Sequence, residues 1–139
     1  MKYWINTVSK DHVLEGKKNN FVQANHGKLS SLKKLNIGDK IIFYSPKTAL
    51  KEGKSLKSFT AIASIKDDNI YQVELSKNFK PYRLNAIYED CKEIKIKPLI
   101  NKLVFIKNKK YWGYKFRLGL FEISKEDFER IYSVMKSLL

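Results

Sequence analysis

A chain of 139 residues and 16.3 kDa, with 43% hydrophobic and 13% aromatic residues, is too apolar for a disordered segment and predicts one domain over residues 1–139 with its own core. Twenty-eight Lys and Arg against fourteen Asp and Glu leave a net charge of +14, which reads either as a surface for a polyanionic partner or as a solvated lysine coat. A lone cysteine, Cys91, excludes an internal disulfide, and with no apolar leader core and no run long enough to span a bilayer, a cytoplasmic chain without membrane contact is expected.

In chain order, Tyr3 to Val8 is rich in strand formers. Ser9 is a predicted N-cap for a short helix over Asp11 to Glu15, which Gly16 ends. Phe21 to Ala24 returns to apolar alternation before Asn25-His26-Gly27-Lys28, and Ser30 or Ser31 caps a helical turn burying Leu32 and Leu35. Gly38-Asp39 is turn chemistry. Ile41-Ile42-Phe43-Tyr44 then reads as a strand buried on both faces of a small closed sheet, stopped by Pro46. Lys47 to Lys57 is expected to be a mobile basic loop.

Phe59 to Ile65 alternates as a strand, and the Asp67-Asp68-Asn69 turn predicts that Ile70 to Leu75 pairs back on it as a hairpin. Tyr82 to Glu89 is a further strand, Glu93 to Lys97 a half-exposed one, and Pro98 opens a short helical turn. Tyr111 to Arg117 is an aromatic segment that Gly113 allows to bend, and Leu120 to Ile123 is a closing strand. Ser124 with Asp127 imitates a capping box, and Phe128, Ile131, Tyr132, Met135 and Leu138 form one apolar stripe on the helix that follows. Six or seven strands without βαβ alternation predict an α+β fold built on a mixed β-barrel, with short flanking helices and a C-terminal helix.

Charge is unevenly spread. Residues 28–57 carry eight Lys and two acids, residues 92–117 carry nine basic residues and one acid, and residues 120–139 are close to neutral. Two histidines and one cysteine give no zinc spacing, and no nucleophile elbow, Walker loop or dinucleotide fingerprint occurs. No cofactor and no catalysis are expected. His26-Gly27-Lys28 can offer backbone amides and a cation to a phosphate, or serve only a turn. Trp4, Tyr44, Tyr82, Tyr88, Tyr111 and Trp112 can stack a planar base, or fill the core.

Several fragments, in order, carry a resemblance. They are Tyr3-Trp4, Ser9 and His12, Phe21-x-Gln23 leading to His26-Gly27-Lys28, Gly38-Asp39, Tyr44-Ser45-Pro46-Lys47 and Phe59-Thr60-Ala61. They continue with Pro81-x-Arg83, Pro98-Leu99-Ile100, Leu103-x-Phe105-Ile106, Trp112-Gly113, Arg117-x-Gly119-Leu120 and Ile123-Ser124-x-x-Asp127-Phe128. Together they resemble the EVE domain over essentially the whole chain. The resemblance implies a PUA-like β-barrel related to PUA, ASCH and YTH domains, and a non-catalytic module holding a modified nucleobase, such as a modified cytosine, in an aromatic pocket. It implies a base pocket around Trp4, Ser9, His26, Gly27, Tyr44, Ser45, Tyr82, Arg83 and Trp112, with Lys28, Lys47 and Arg117 toward phosphates. The expected partner is nucleic acid, RNA or DNA, bound by a monomer. A general RNA-binding module for tRNA or ribosomal RNA, and a nucleoside or small-molecule binder, are the alternatives.

Overall fold

Eight strands and three α-helices, with two short 3-10 helices at Lys97–Leu99 and Tyr114–Leu118, follow one another in a computed structural model that describes residues 1–137. They run β1 (Tyr3–Thr7), α1 (Lys10–Asn19), β2 (Phe21–Val22), α2 (Leu29–Leu32), β3 (Lys40–Lys47), β4 (Ser55–Ile65), β5 (Tyr71–Gln72), β6 (Tyr82–Glu89), β7 (Ile94–Lys95), β8 (Leu120–Ile123) and α3 (Lys125–Lys136). The sheet has the order β2-β6-β4-β3-β1-β8, with β5 added to β6 and β7 to β4. Among the described residues only β1 and β3 pair in parallel.

The sheet curls into a half-barrel and does not close, because among the described residues its end strands β2 and β8 share no ladder. Side chains cross the gap instead. Asn6 Nδ2 donates to the Gln23 carbonyl at 3.1 Å, and an added Cβ on Gly119 would sit 1.7 Å from Asn25 Oδ1.

β3 is the central strand, buried on both faces as its apolar run requires. Ile41 and Phe43 face the barrel interior with Trp4, Ala61, Ala63 and Leu84, while Ile42 and Tyr44 face the opposite core with Ile5, Phe59, Phe116 and the α3 stripe. The strand does not stop at Pro46. A register irregularity between Ser45 and Lys47 removes the demand for a ladder N–H there, and pairing resumes at Lys47 with Ser55. The segment expected to be a loop is thereby shortened, since β4 begins at Ser55.

Three other expectations are corrected. α1 continues through Gly16 to Asn19 and ends on left-handed Asn20 at φ 59°. Gly16 is small for packing: a Cβ there would lie 2.8 Å from the Phe21 carbonyl oxygen and 2.9 Å from the Tyr88 hydroxyl. Tyr71 and Gln72 pair with Arg83 and Tyr82 of β6, not with β4, whose partners on that side are β6 and β7. Finally, α2 begins after Lys28, and Ser31 is buried as the acceptor of Asn25 Nδ2 at 2.8 Å.

The C-terminal helix forms as its capping pattern requires: Ser124 Oγ accepts from the Asp127 amide at 3.1 Å. The Asp127 carboxylate, 1% exposed, accepts in turn from the Val104 and Phe105 amides, both at 2.9 Å. Phe128, Ile131 and Met135 are buried and Tyr132 packs against them; Leu138 lies outside the described residues.

Glu89 of β6 fastens α3 to the sheet. It accepts from the Tyr132 hydroxyl at 2.6 Å and from Lys40 Nζ at 3.2 Å, and Lys136 Nζ lies 3.5 Å away. Burial pushes this carboxyl up, but those hydrogen bonds and the charges of Lys40 and Lys136 outweigh burial and hold it below its ordinary value of 4.5. A carboxyl lowered in the folded state stabilises the fold above its unfolded value, and that stability is lost as pH falls through the lowered one. In urea titrations, Glu89→Gln is therefore expected to be less stable than the parent at about pH 6, with the gap closing toward about pH 3. A gap that stays constant across that range contradicts this role.

Candidate functional site

A cavity of about 340 Å³ opens at the mouth of the half-barrel, near the C-terminal end of β3 and beside the unpaired gap. That volume lies at the small end of ligand pockets, which run from about 300 to 1,000 Å³. Its apolar wall includes Val13, Phe21, Phe43 and Tyr88, and the exposed Leu50, Leu75 and Phe79 contribute from surface loops. Phe43 and Tyr88 stack at 5.7 Å with 19° between their planes. The Tyr88 hydroxyl donates to the Phe21 carbonyl at 2.8 Å, and burial pushes its ionisation well above the ordinary tyrosine value, so it stays neutral.

Arg83 is the best-defined polar group of the cavity. Its guanidinium carbon lies 3.8 Å from the centre of the Phe21 ring, its Nε donates to Gln23 Oε1 at 3.1 Å, and Glu15 lies 3.9 Å from an Nη. The side chain is 13% exposed, so ring, amide and carboxylate hold one orientation. With its oxygen committed to Arg83, Gln23 turns its Nε2 donors away from that partner.

Around this group stand Lys47, Arg117, His12 and His26, so three permanent cations face the single carboxylate of Glu15 among the lining residues. Thr7 also lines the cavity, and its buried Oγ1 has no hydrogen-bond partner among the described residues. Asn25, His26 and Gly27 all have positive φ, 48°, 60° and 86°. Two successive non-glycine residues in this region are strained, and the turn carries Asn25 and His26 to the cavity edge.

The residues predicted from sequence fall into two groups. Ser9, His26, Arg83, Lys47 and Arg117 all border the cavity. Ser9 Oγ donates to Asp11 Oδ1 at 2.5 Å. Burial raises the Asp11 carboxyl, but that hydroxyl, the His12 amide and the His12 charge together keep it below its ordinary value.

The other predicted residues stand elsewhere. Trp4 is buried in the interior, with Nε1 donating to Asp39 Oδ2 at 3.1 Å. Tyr44 lies on the opposite face of β3, with its ring centre 4.1 Å from that of Phe116, and Trp112 packs beside it. Ser45 is fully buried, donates to the Val8 carbonyl at 2.7 Å and shares a hydrogen bond with Thr60 Oγ1. Tyr82 is half-buried on β6, outside the lining. Gly27 packs on Pro81, and the Gly27 and Lys28 amides both donate to the Ala24 carbonyl, which leaves them no donor for a phosphate; Lys28 is exposed. Cys91 is half-buried against the α3 core, and burial pushes its thiol up, against thiolate chemistry.

The lining therefore uses rings that sequence reasoning did not select: Phe21, Phe43, Phe79 and Phe116, with Tyr88 named only as a general stacking candidate. Strand parity was the available signal for Phe43. With Trp4 facing inward, its parallel partner Ile41 faces inward too, and so does Phe43 two residues on. Among the described residues no group of three or more His, Cys, Asp or Glu is placed to hold a metal, and no helix is long and apolar enough to cross a membrane.

The EVE domain family model matches residues 2–134. The chain belongs to the EVE domain family. A UPF0310 protein of Mycolicibacterium vanbaalenii is 52% identical over 135 residues, which cover 97% of this chain and 93% of the relative. Two solved structures share the fold. One is the YTH domain of the Zygosaccharomyces rouxii MRB1 protein, in complex with N6-methyladenosine RNA, with TM-score 0.61 and 12% identity over 99% of this chain and 88% of that one. The other is ASCH from Zymomonas mobilis, with TM-score 0.58 and 12% identity over 97% and 96% of the two chains. This EVE domain thus has a PUA-like fold, with eight strands among the described residues, three of them two residues long.

Proposed function

We propose that this EVE domain is a non-catalytic nucleic-acid-binding module that holds one nucleobase, modified for preference, in the cavity at the barrel mouth. The observation that carries the reading is Arg83, clamped over Phe21 by Gln23 and Glu15 inside a small ring-walled hollow with a cationic rim. Such a hollow suits a flat heterocycle. Apolar rings take its faces, the Thr7 hydroxyl and the Gln23 amide can meet its polar edge, and Lys47 and Arg117 are left for phosphates. An added methyl gains packing against Phe21, Phe43 or Val13 without changing charge. Extruding a base costs a few kcal/mol, which burial between rings and edge hydrogen bonds can offset. The YTH neighbour, crystallised with N6-methyladenosine RNA, lends the reading analogy of fold.

The test is equilibrium binding of single-stranded oligonucleotides of one sequence, plain or carrying one methylated cytosine or adenine, at fixed salt. A modified strand is expected to bind several-fold more tightly than the plain one. Arg83→Met is expected to weaken that strand about tenfold, with Arg83→Lys recovering little because an ammonium lacks the planar fork. Equal affinities across the panel, with a steep salt dependence and no effect of Arg83→Met, would instead identify a general RNA-binding surface driven by its lysines. A thermal shift with free nucleoside and none with oligonucleotide would identify a small-molecule binder.

A further inference from the structure

The aromatic segment after residue 110 is divided between two tasks. Trp112 and Phe116 turn inward onto Tyr44. Tyr111 and Tyr114 turn outward, 51% and 60% exposed, although both are large rings. They lie against each other with centres 5.7 Å apart and 25° between planes, one open stack on the surface.

The backbone fixes this stack. Asn108 Oδ1 accepts from the Lys110 and Tyr111 amides, and the Tyr114 amide donates to the Tyr111 carbonyl at 3.1 Å, so the two rings keep an i, i+3 spacing before the 3-10 turn Tyr114–Leu118. Cations flank both rings. Lys110 Nζ is 5.5 Å from the Tyr111 ring centre, and the Arg117 guanidinium carbon is 4.7 Å from that of Tyr114. Residues 97–118 contain six Lys and one Arg and no acid. Arg117 is the link, because it also lines the cavity.

We propose that Tyr111 and Tyr114 form a second subsite, which stacks the base of a nucleotide flanking the one held in the cavity, with Arg117 on the phosphate between them. The ligand is a single strand: a duplex buries its base faces in its own stack, and rings such as these reach only unpaired bases. Base–ring stacking tolerates any sequence, so the platform adds affinity and direction along the strand while the cavity supplies selectivity. The inference rests on the cavity reading for its geometry.

The experiment measures fluorescence anisotropy of 5′-labelled hexanucleotides, RNA and DNA, with a central 5-methylcytosine. Each is made twice: with normal flanking bases, and with abasic flanking sites that keep every phosphate. Tyr114→Leu is expected to weaken the normal hexamer about tenfold and to leave the abasic-flanked one unchanged, while Tyr114→Phe binds like the parent. Both rings are exposed, so these variants keep the fold. Equal weakening of both strands, no weakening of either, loss in Tyr114→Phe as large as in Tyr114→Leu, or no binding of either hexamer would each overturn the platform. Arg83→Met separates the two sites: if it changes nothing while Tyr114→Leu still acts selectively, the cavity reading fails and the stacking subsite stands.

Discussion

Asp39→Ala is expected to destabilise the protein by about 3 to 5 kcal/mol, enough to leave a small domain barely folded. The Asp39 residue is 1% exposed, and its carboxylate serves three donors: Oδ1 accepts from the Lys2 amide at 2.9 Å, and Oδ2 from Trp4 Nε1 at 3.1 Å and the Asn36 amide at 3.0 Å. One side chain thus ties the approach to β1, the interior tryptophan and the turn before β3. Removing it strands a buried indole N–H and two part-buried backbone amides, and each orphan keeps a desolvation cost, the indole the largest. Asp39→Asn should lose less, because its carbonyl can still accept, yet its amide then opposes one of the donors. Urea unfolding followed by tryptophan fluorescence reads both effects, since Trp4 sits at the site. A loss below about 1 kcal/mol for Asp39→Ala would deny Asp39 this role.

Gly119→Ala is expected to cost about 3 kcal/mol or more and to deform the cavity at the same time. Gly119 has φ 78° and ψ −83°, a backbone setting that an L side chain resists, and its new methyl would stand 1.7 Å from Asn25 Oδ1 and 2.7 Å from Asn25 Cγ. Asn25 cannot step aside freely, because it has φ 48° and its Nδ2 donates to Ser31. Both residues line the cavity, so repositioning either changes its shape. A double-mutant cycle separates strain from collision. Asn25→Ala should recover part of the loss in the Gly119→Ala background, with a coupling of about 1 kcal/mol or more, while the unfavourable φ remains. Strict additivity of the two changes would mean that no collision occurs.

Much of the fold is legible in local chemistry. Gly38 does adopt positive φ, Asp39 does bind a neighbouring amide, β3 is buried on both faces, and Ser124 does cap α3. β6 spans the predicted Tyr82 to Glu89. What local patterns misjudge is whatever depends on a distant partner. Gly16 looks like a stop signal, yet it is small because the Phe21 carbonyl and the Tyr88 hydroxyl press against it. The Asp67-Asp68-Asn69 turn is compatible with a hairpin, but β5 finds β6 instead, since β4 is already paired along both edges.

The candidate site divides in the same way. Arg83 and Arg117 are legible as partners for phosphate or stacking, Lys47 is marked only by the family resemblance, and all three line the cavity. Which rings wall it depends on strand parity, where a step of one residue moves a side chain to the other face. Tyr44 and Phe43 differ by that one step. Tyr44 joins the α3 core and Phe43 the hollow, although by composition the tyrosine is the better base-binding candidate.

Where β2 and β8 fail to meet, the wall of the hollow behaves like a laced seam in an otherwise welded vessel. Lengthening the laces, by shifting the Asn6–Gln23 and Asn25–Gly119 contacts, would widen the hollow while the ladders between neighbouring strands stay joined. The width of the hollow is then set by a few side chains along that line, Gly119 being the position where a change is costly.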